Sequence, residues 1–179
     1  MDRWHSWQEQ SLASVWDVLR AHTFWRQYFG CGADSHMPCY MDFSVHLAIF
    51  NQPYLGFVLE GRKTIESRFS ANRCAPYRQV SKGDVLLLKS AGGPIVGICL
   101  VENVWFYDLD PASWKDVKRF ANDLCAHDPA FWSSREHANF ATLMRVTHPT
   151  AIEAVGCEKR DRRGWVVLDR GRPQSRHAL

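Results

Sequence analysis

The chain has 179 residues, 46% hydrophobic and 23% charged, with a formal net charge of +3. That length and balance suit one globular domain with its own core, and exclude a disordered or low-complexity chain. The charge is too small to imply a nucleic-acid partner by itself, and no apolar run is long enough to span a bilayer.

Six cysteines at irregular spacing do not form a disulfide framework, so a reducing cytoplasm is expected. No leader is expected either, because the N-terminus lacks a short apolar core behind basic residues. Cys31, His36 and Cys39 form one cluster with metal-ligand chemistry. Their spacing matches no standard zinc pattern and a fourth ligand is not evident, so neither a metal nor another cofactor is expected.

In chain order, Leu12, Val15, Trp16 and Leu19 make an i, i+3, i+4, i+7 stripe, and residues 1–30 read as helical. The stretch GCGADSHMPCY is a linker by composition. Residues 1–40 are thus expected to be an N-terminal helical extension and linker, added to a core domain over 41–170; residues 171–179 are a basic tail. A translation start at Met41 would leave that core domain whole.

Val45–Ile49 is the first strand candidate. Pro53 suits the first turn of a helix running through Tyr54 to Glu60, with Gly61 as its C-terminal cap. Lys82, Gly83 and Asp84 make a turn before the buried strand VLLLK. The loop AGGP then leads into IVGICLVENVWFY, a long strand with a bulge or close-packing point at Gly97.

Asp110-Pro111 and Asp128-Pro129 each place an N-cap acid before a proline at the first helical position. The first of these helices is expected to bury Trp114, Val117, Ala121 and Leu124; the second offers Phe131 and Trp132 and carries Glu136. TLMRVTHPTAIE and GWVVLD supply two further strands. Several strands with short helices between them, and no regular βαβ alternation, predict an α+β mixed barrel.

From Glu158 to Arg176, seven cations stand against Glu158, Asp161 and Asp169. The last residues read as a solvated tail. Lys159, Arg160, Arg162 and Arg163 read as solvated too or, alternatively, as a phosphate-facing patch held by the strand that follows.

The segment GRKTIESRF, residues 61–69, concentrates charge behind the apolar run YLGFVLE. Gly61 ends the helix, and Thr64–Phe69 suits a short strand on which Glu66 and Arg68 share a face. Lys63 sits in the turn. Spacing alone is satisfied by an exposed strand edge with a Glu-Arg pair and a solvated lysine. That exposed reading implies that Lys63→Ala leaves the melting temperature nearly unchanged.

The longer stretch QPYLGFVLEGRKTIESRF resembles the signature of the ASCH domain family, a branch of the PUA-like β-barrels. Its hallmark G-x-K-x-x-E-x-R follows a short helix and is met by Gly61, Lys63, Glu66 and Arg68. GDVLLLK and the strand after AGGP extend the resemblance over roughly residues 43–168.

The resemblance implies a PUA-like mixed barrel whose cleft binds RNA or a nucleoside or nucleotide. Lysine and arginine suit phosphate oxygens, and a carboxylate accepts from an exocyclic amine or a ribose hydroxyl. Tyr54 and Tyr77 are candidate stacking rings or buried packing residues, and Gly92 and Gly93 either approach a ligand or form a plain hairpin loop.

A hydrolytic alternative also follows from the family. One bacterial branch resembles an amidohydrolase that deacetylates N(4)-acetylcytidine through the motif lysine, a threonine where the glutamate stands, and a downstream glutamate. Other members are ribonucleases. This chain keeps Lys63, has Glu66 in the threonine's place, and offers Glu136 downstream. In that reading Glu66 or Glu136 activates a water and Lys63 or Arg68 holds the developing charge, with His127 and His137 as further acid-base groups. Binding without chemistry is the favoured expectation.

Overall fold

Period-two alternation puts Val45 and Leu47 on one face of the first strand, and His46, Ala48 and Phe50 on the other. A computed structural model of the protein, describing residues 3–30, 42–159 and 162–171, buries both faces. Helices α1 (Arg3–Leu19) and α2 (Thr23–Tyr28) precede β1 (Val45–Phe50), which is followed by α3 (Tyr54–Leu59) and β2 (Ile65–Ser70). Then come β3 (Val85–Ser90), β4 (Ile95–Asp108), α4 (Pro111–Lys118), α5 (Pro129–Ser133), β5 (Phe140–Val155) and β6 (Trp165–Asp169).

The strands form one sheet in the order β2-β5-β4-β3-β1-β6. Only β1 and β3 pair in parallel; the other neighbours are antiparallel. The sheet curls until its edge strands face each other. Arg68 on β2 donates to the carbonyls of Gly164, just before β6, and Ile49 on β1, at 3.1 and 2.9 Å. This is the α+β mixed barrel expected from the sequence, left open at one gap that a side chain spans.

One face of the sheet carries Val45, Leu47, Val85, Leu87 and Ile98. The stripe Leu12, Val15, Trp16 and Leu19 covers it, together with Trp25 of α2. The other face holds Ala48, Phe50, Leu86, Leu88 and Cys99 against α3. β3 therefore reads as an unbroken apolar run because both its faces are covered. A third cluster, around Ile65, Leu143, Val117, Leu124 and Phe131, packs the far ends of β2 and β5 against α4, α5 and the chain between them.

Both Asp-Pro starts behave as expected. Asp110 accepts from the Ser113 amide in a capping box, and Asp128 accepts from the Ala130 amide. Gly97 lies at a register shift, and a Cβ there would meet Leu59 Cδ2 at 2.5 Å. The helix begun at Pro111 is shorter than expected and ends at Lys118. Beyond it the chain turns so that the Asp123 carbonyl accepts the amides of Thr64 and Ile65, at 3.0 and 3.1 Å. Leu124 is buried from this turn, not from a helix. α5 likewise stops at Ser133, short of Glu136.

Cys31, His36, Cys39, Arg160 and the tail from residue 172 onward lie outside the described residues. Among the described residues no helix is long and apolar enough to cross a membrane.

The N-terminal helices share their core with the sheet. Trp25 is 1% exposed, and its indole Nε1 donates to Thr150 Oγ1 on β5 at 2.9 Å. Trp25→Ala should cost about 3–5 kcal/mol of stability in denaturant titration, as for other buried aromatic truncations. A loss below about 1 kcal/mol would show that these helices are peripheral.

Candidate functional site

The charged segment begins at a helix end that is closed by its own backbone. Gly61 has φ +73°, its amide donates to Val58 and the Arg62 amide to Phe57, the paired bonds of a Schellman cap. The Lys63 amide also donates to Phe57 at 2.9 Å, so the turn is held back onto α3. β2 then pairs with β5, with Glu66 opposite Met144 and Arg68 opposite Thr142.

This geometry drives Lys63 inward, contrary to the exposed reading. Its side chain is 3% exposed, and Nζ donates to the carbonyls of Ile65 at 2.6 Å and Leu124 at 3.2 Å. Glu66 Oε2 lies 3.4 Å from Nζ, and Glu66 Oε1 lies 3.0 Å from Arg68 Nε. Lysine, glutamate and arginine thus form one continuous ion chain, with Glu66 buried at its centre. Burial holds the Lys63 ammonium below the ordinary lysine range, against the opposing pull of Glu66.

The chain floors a cleft of about 410 Å³. Tyr54, Phe131 and Arg135 line its walls, with Asn51, Ser67 and Ser134 as further polar groups. Tyr54 and Phe131 meet edge to face at 5.9 Å between ring centres. Arg135 lies over Phe131, its guanidinium carbon 3.8 Å from the ring centre, and donates to the Phe131 carbonyl at 2.6 Å. Burial draws its guanidinium below the ordinary arginine range, while Tyr54 and Glu66 pull the other way.

Arg135 has no place in the sequence motif, and its neighbour Glu136 was the residue expected here. The turn after α5 separates the two. Glu136 is 64% exposed and lines another groove with Trp114, Lys118 and Trp132, on the Trp132 side of α5. The signal that could have found Arg135 is its place four residues after Phe131, a spacing that brings a cation onto an aromatic ring across one helical turn.

Other expected residues are placed elsewhere. Gly92 and Gly93 form the turn between β3 and β4 and do not line the cleft. Gly61 acts as a cap and does not line it either. Tyr77 is buried, with its hydroxyl on Asp108 at 3.0 Å. His127 and His137 are exposed. Arg162 and Arg163 lie exposed directly before Gly164, whose carbonyl holds Arg68; Lys159 is half-buried.

Removing Lys63 would leave Glu66 with Arg68 as its one remaining ion-pair partner and take the Lys63 donor from the carbonyls of Ile65 and Leu124. Lys63→Ala should therefore destabilise the protein by about 3–5 kcal/mol, the usual cost of breaking a buried pair from one side. Thermal or urea unfolding measures it, and an unchanged midpoint would return Lys63 to the surface.

No family model and no curated protein sequence matches the chain. Solved structures do. The ASCH protein of Zymomonas mobilis aligns with a TM-score of 0.52 and 13% identity, covering 63% of this chain and 73% of its own. A serine-to-alanine mutant of that protein aligns equally well, covering 64% of this chain and 75% of its own. An ASCH domain from Lactobacillus crispatus aligns at 0.43 with 15% identity, over 75% of this chain and 95% of its own. The chain has the fold of the ASCH domain, the fold that the signature Gly61, Lys63, Glu66 and Arg68 implies.

Proposed function

We propose that the cleft binds a ribonucleotide, free or as part of single-stranded RNA, in a reducing cytoplasm where Cys74, Cys99, Cys125 and Cys157 stay as thiols. The observation that carries this reading is the combination of a buried ion chain as floor with aromatic and cationic walls in one cleft. Arg135 supplies charged donors for a phosphate, Tyr54 and Phe131 supply ring surface for a base, and Glu66 supplies an acceptor for an amine or hydroxyl.

Arg68 takes a different part from the one its motif position suggests. Two of its donors are committed to the carbonyls of Gly164 and Ile49, and Nε faces Glu66. It positions the floor and the sheet edge, while Arg135 meets the anion. The exposed Arg162 and Arg163 extend the positive rim beside Gly164, in keeping with an RNA strand that continues past the cleft.

Hydrolysis is the second reading, favoured by one observation: a buried lysine with a depressed proton affinity lies 3.4 Å from a carboxylate on the cleft floor. It would run as deacetylation of N(4)-acetylcytidine or as RNA cleavage, through Lys63 and Glu66 and without Glu136. Incubation with N(4)-acetylcytidine and, separately, with a short single-stranded RNA distinguishes the readings by chromatography. Binding without product supports recognition alone, and product formation assigns the hydrolase.

Arg135→Ala should weaken binding of ribonucleoside monophosphates about tenfold or more, the scale of a lost hydrogen bond to a charged group. Its effect on stability should be well below that of Lys63→Ala. Calorimetry with each variant checks this, and parent-like affinity for every monophosphate would remove Arg135 from the site.

A further inference from the structure

We propose that a second, smaller pocket on the far side of Arg68 is a subsite for the next base of the same RNA strand. This rests on the reading of the main cleft as a ribonucleotide site. The second pocket has a volume of about 210 Å³, below the usual range of about 300–1,000 Å³ for sites that take whole drug-sized molecules. Arg68 and Phe69 line both spaces, so the two are neighbours.

The floor of this pocket carries unmet polar chemistry. Thr142, opposite Arg68 in the β2–β5 register, is 1% exposed, and its Oγ1 has no hydrogen-bond partner. Among the described residues, the only other buried side-chain nitrogen or oxygen without one is Arg68 Nε, which faces Glu66 as an ion pair. Both residues line this pocket. Buried polar groups are nearly always partnered, so an orphaned hydroxyl facing a pocket points to a group that arrives from outside.

The other side-chain O–H and N–H groups of the pocket, the exposed Cys74 thiol aside, are already engaged. Tyr77 donates to Asp108, Ser70 to the Asn72 carbonyl, and Trp165 Nε1 to His46 Nδ1 at 3.1 Å. His46 Nε2 in turn meets Asp84 at 2.9 Å, so the Trp165 ring is a fixed wall. Trp165, Tyr77, Pro76 and Ala75 leave an apolar, partly aromatic slot with one hydroxyl at its base. A hydroxyl both donates and accepts, which suits a ring edge without selecting one base.

Three arginines stand close in the chain to residues that line this pocket, and one of them, Arg73, meets the Asp108 carboxylate at 3.6 Å. Arg73 and Arg78 flank the lining residues Cys74 and Tyr77, and Arg162 lies two residues before Gly164; all three are exposed. An aromatic slot with these arginines nearby, beside the main cleft at Arg68, fits a dinucleotide step whose phosphates meet them.

Calorimetry with ribonucleoside 5′-monophosphates and the matching 5′-phosphorylated homodinucleotides tests this on the full chain. The dinucleotides should bind about tenfold tighter than the monophosphates. Thr142→Val, which removes the hydroxyl at nearly constant shape, should erase that gain and leave monophosphate binding and the melting temperature no lower than the parent's. Thr142→Ser should retain the gain. Dinucleotides that bind no tighter than monophosphates, or a Thr142→Val protein that keeps the full gain, would overturn the subsite and leave the main cleft standing. Absence of monophosphate binding in the parent would overturn the main-cleft reading and the subsite with it.

Discussion

The guanidinium of Arg68 crosses the one gap in the curled sheet, and the rest of the site depends on that crossing. β2 and β6 are the edge strands, and Arg68 ties the first to the start of the second through Gly164 and to β1 through Ile49. Glu66 keeps the guanidinium in place, and Lys63 completes the chain by anchoring to Ile65 and Leu124. A single run of charges therefore links the sheet edge to the turn after α4. Well-packed apolar residues would often serve stability as well or better than such a buried ion chain. Its presence is better explained by the cleft it floors than by the fold it closes.

Local backbone chemistry makes this arrangement possible. The positive φ of Gly61 lets α3 end abruptly, and the bonds from residues 61–63 to Val58 and Phe57 fold the segment back before β2 starts. The chain after α4 is shaped from the opposite side. It abandons the helix so that Asp123 can extend the pairing of β2 and Leu124 can accept from Lys63. The shortening of α4 and the burial of Lys63 are the same event seen from two elements.

Strands and caps were legible in the sequence because their signals are local. Alternation in β1, the unbroken apolar run of β3, the cap at Gly61 and both Asp-Pro starts each depend on neighbours a few residues away. The signature residues were legible as a group, but their burial was not. Lys63 donates inward to a carbonyl 61 positions distant, and nothing in GRKTIESRF announces that partner. Arg135 was hidden for a related reason. Which of residues 135 and 136 turns inward is set by the turn after α5, and local sequence does not fix a helix end to the residue. Thr142 carries no signal in sequence, since a threonine in a strand is ordinary and its missing partner is visible only in three dimensions.

The central claim is that closure of the sheet and ligand recognition use one connected set of side chains. Backbone amide shifts recorded during titration with a ribonucleoside monophosphate address it most directly. The account predicts that the largest shifts fall on residues 49–54, 63–69 and 131–135, with Gly164 responding through Arg68. Shifts confined to the groove of Trp114, Trp132 and Glu136, or to the turn at Gly92 and Gly93, would contradict it.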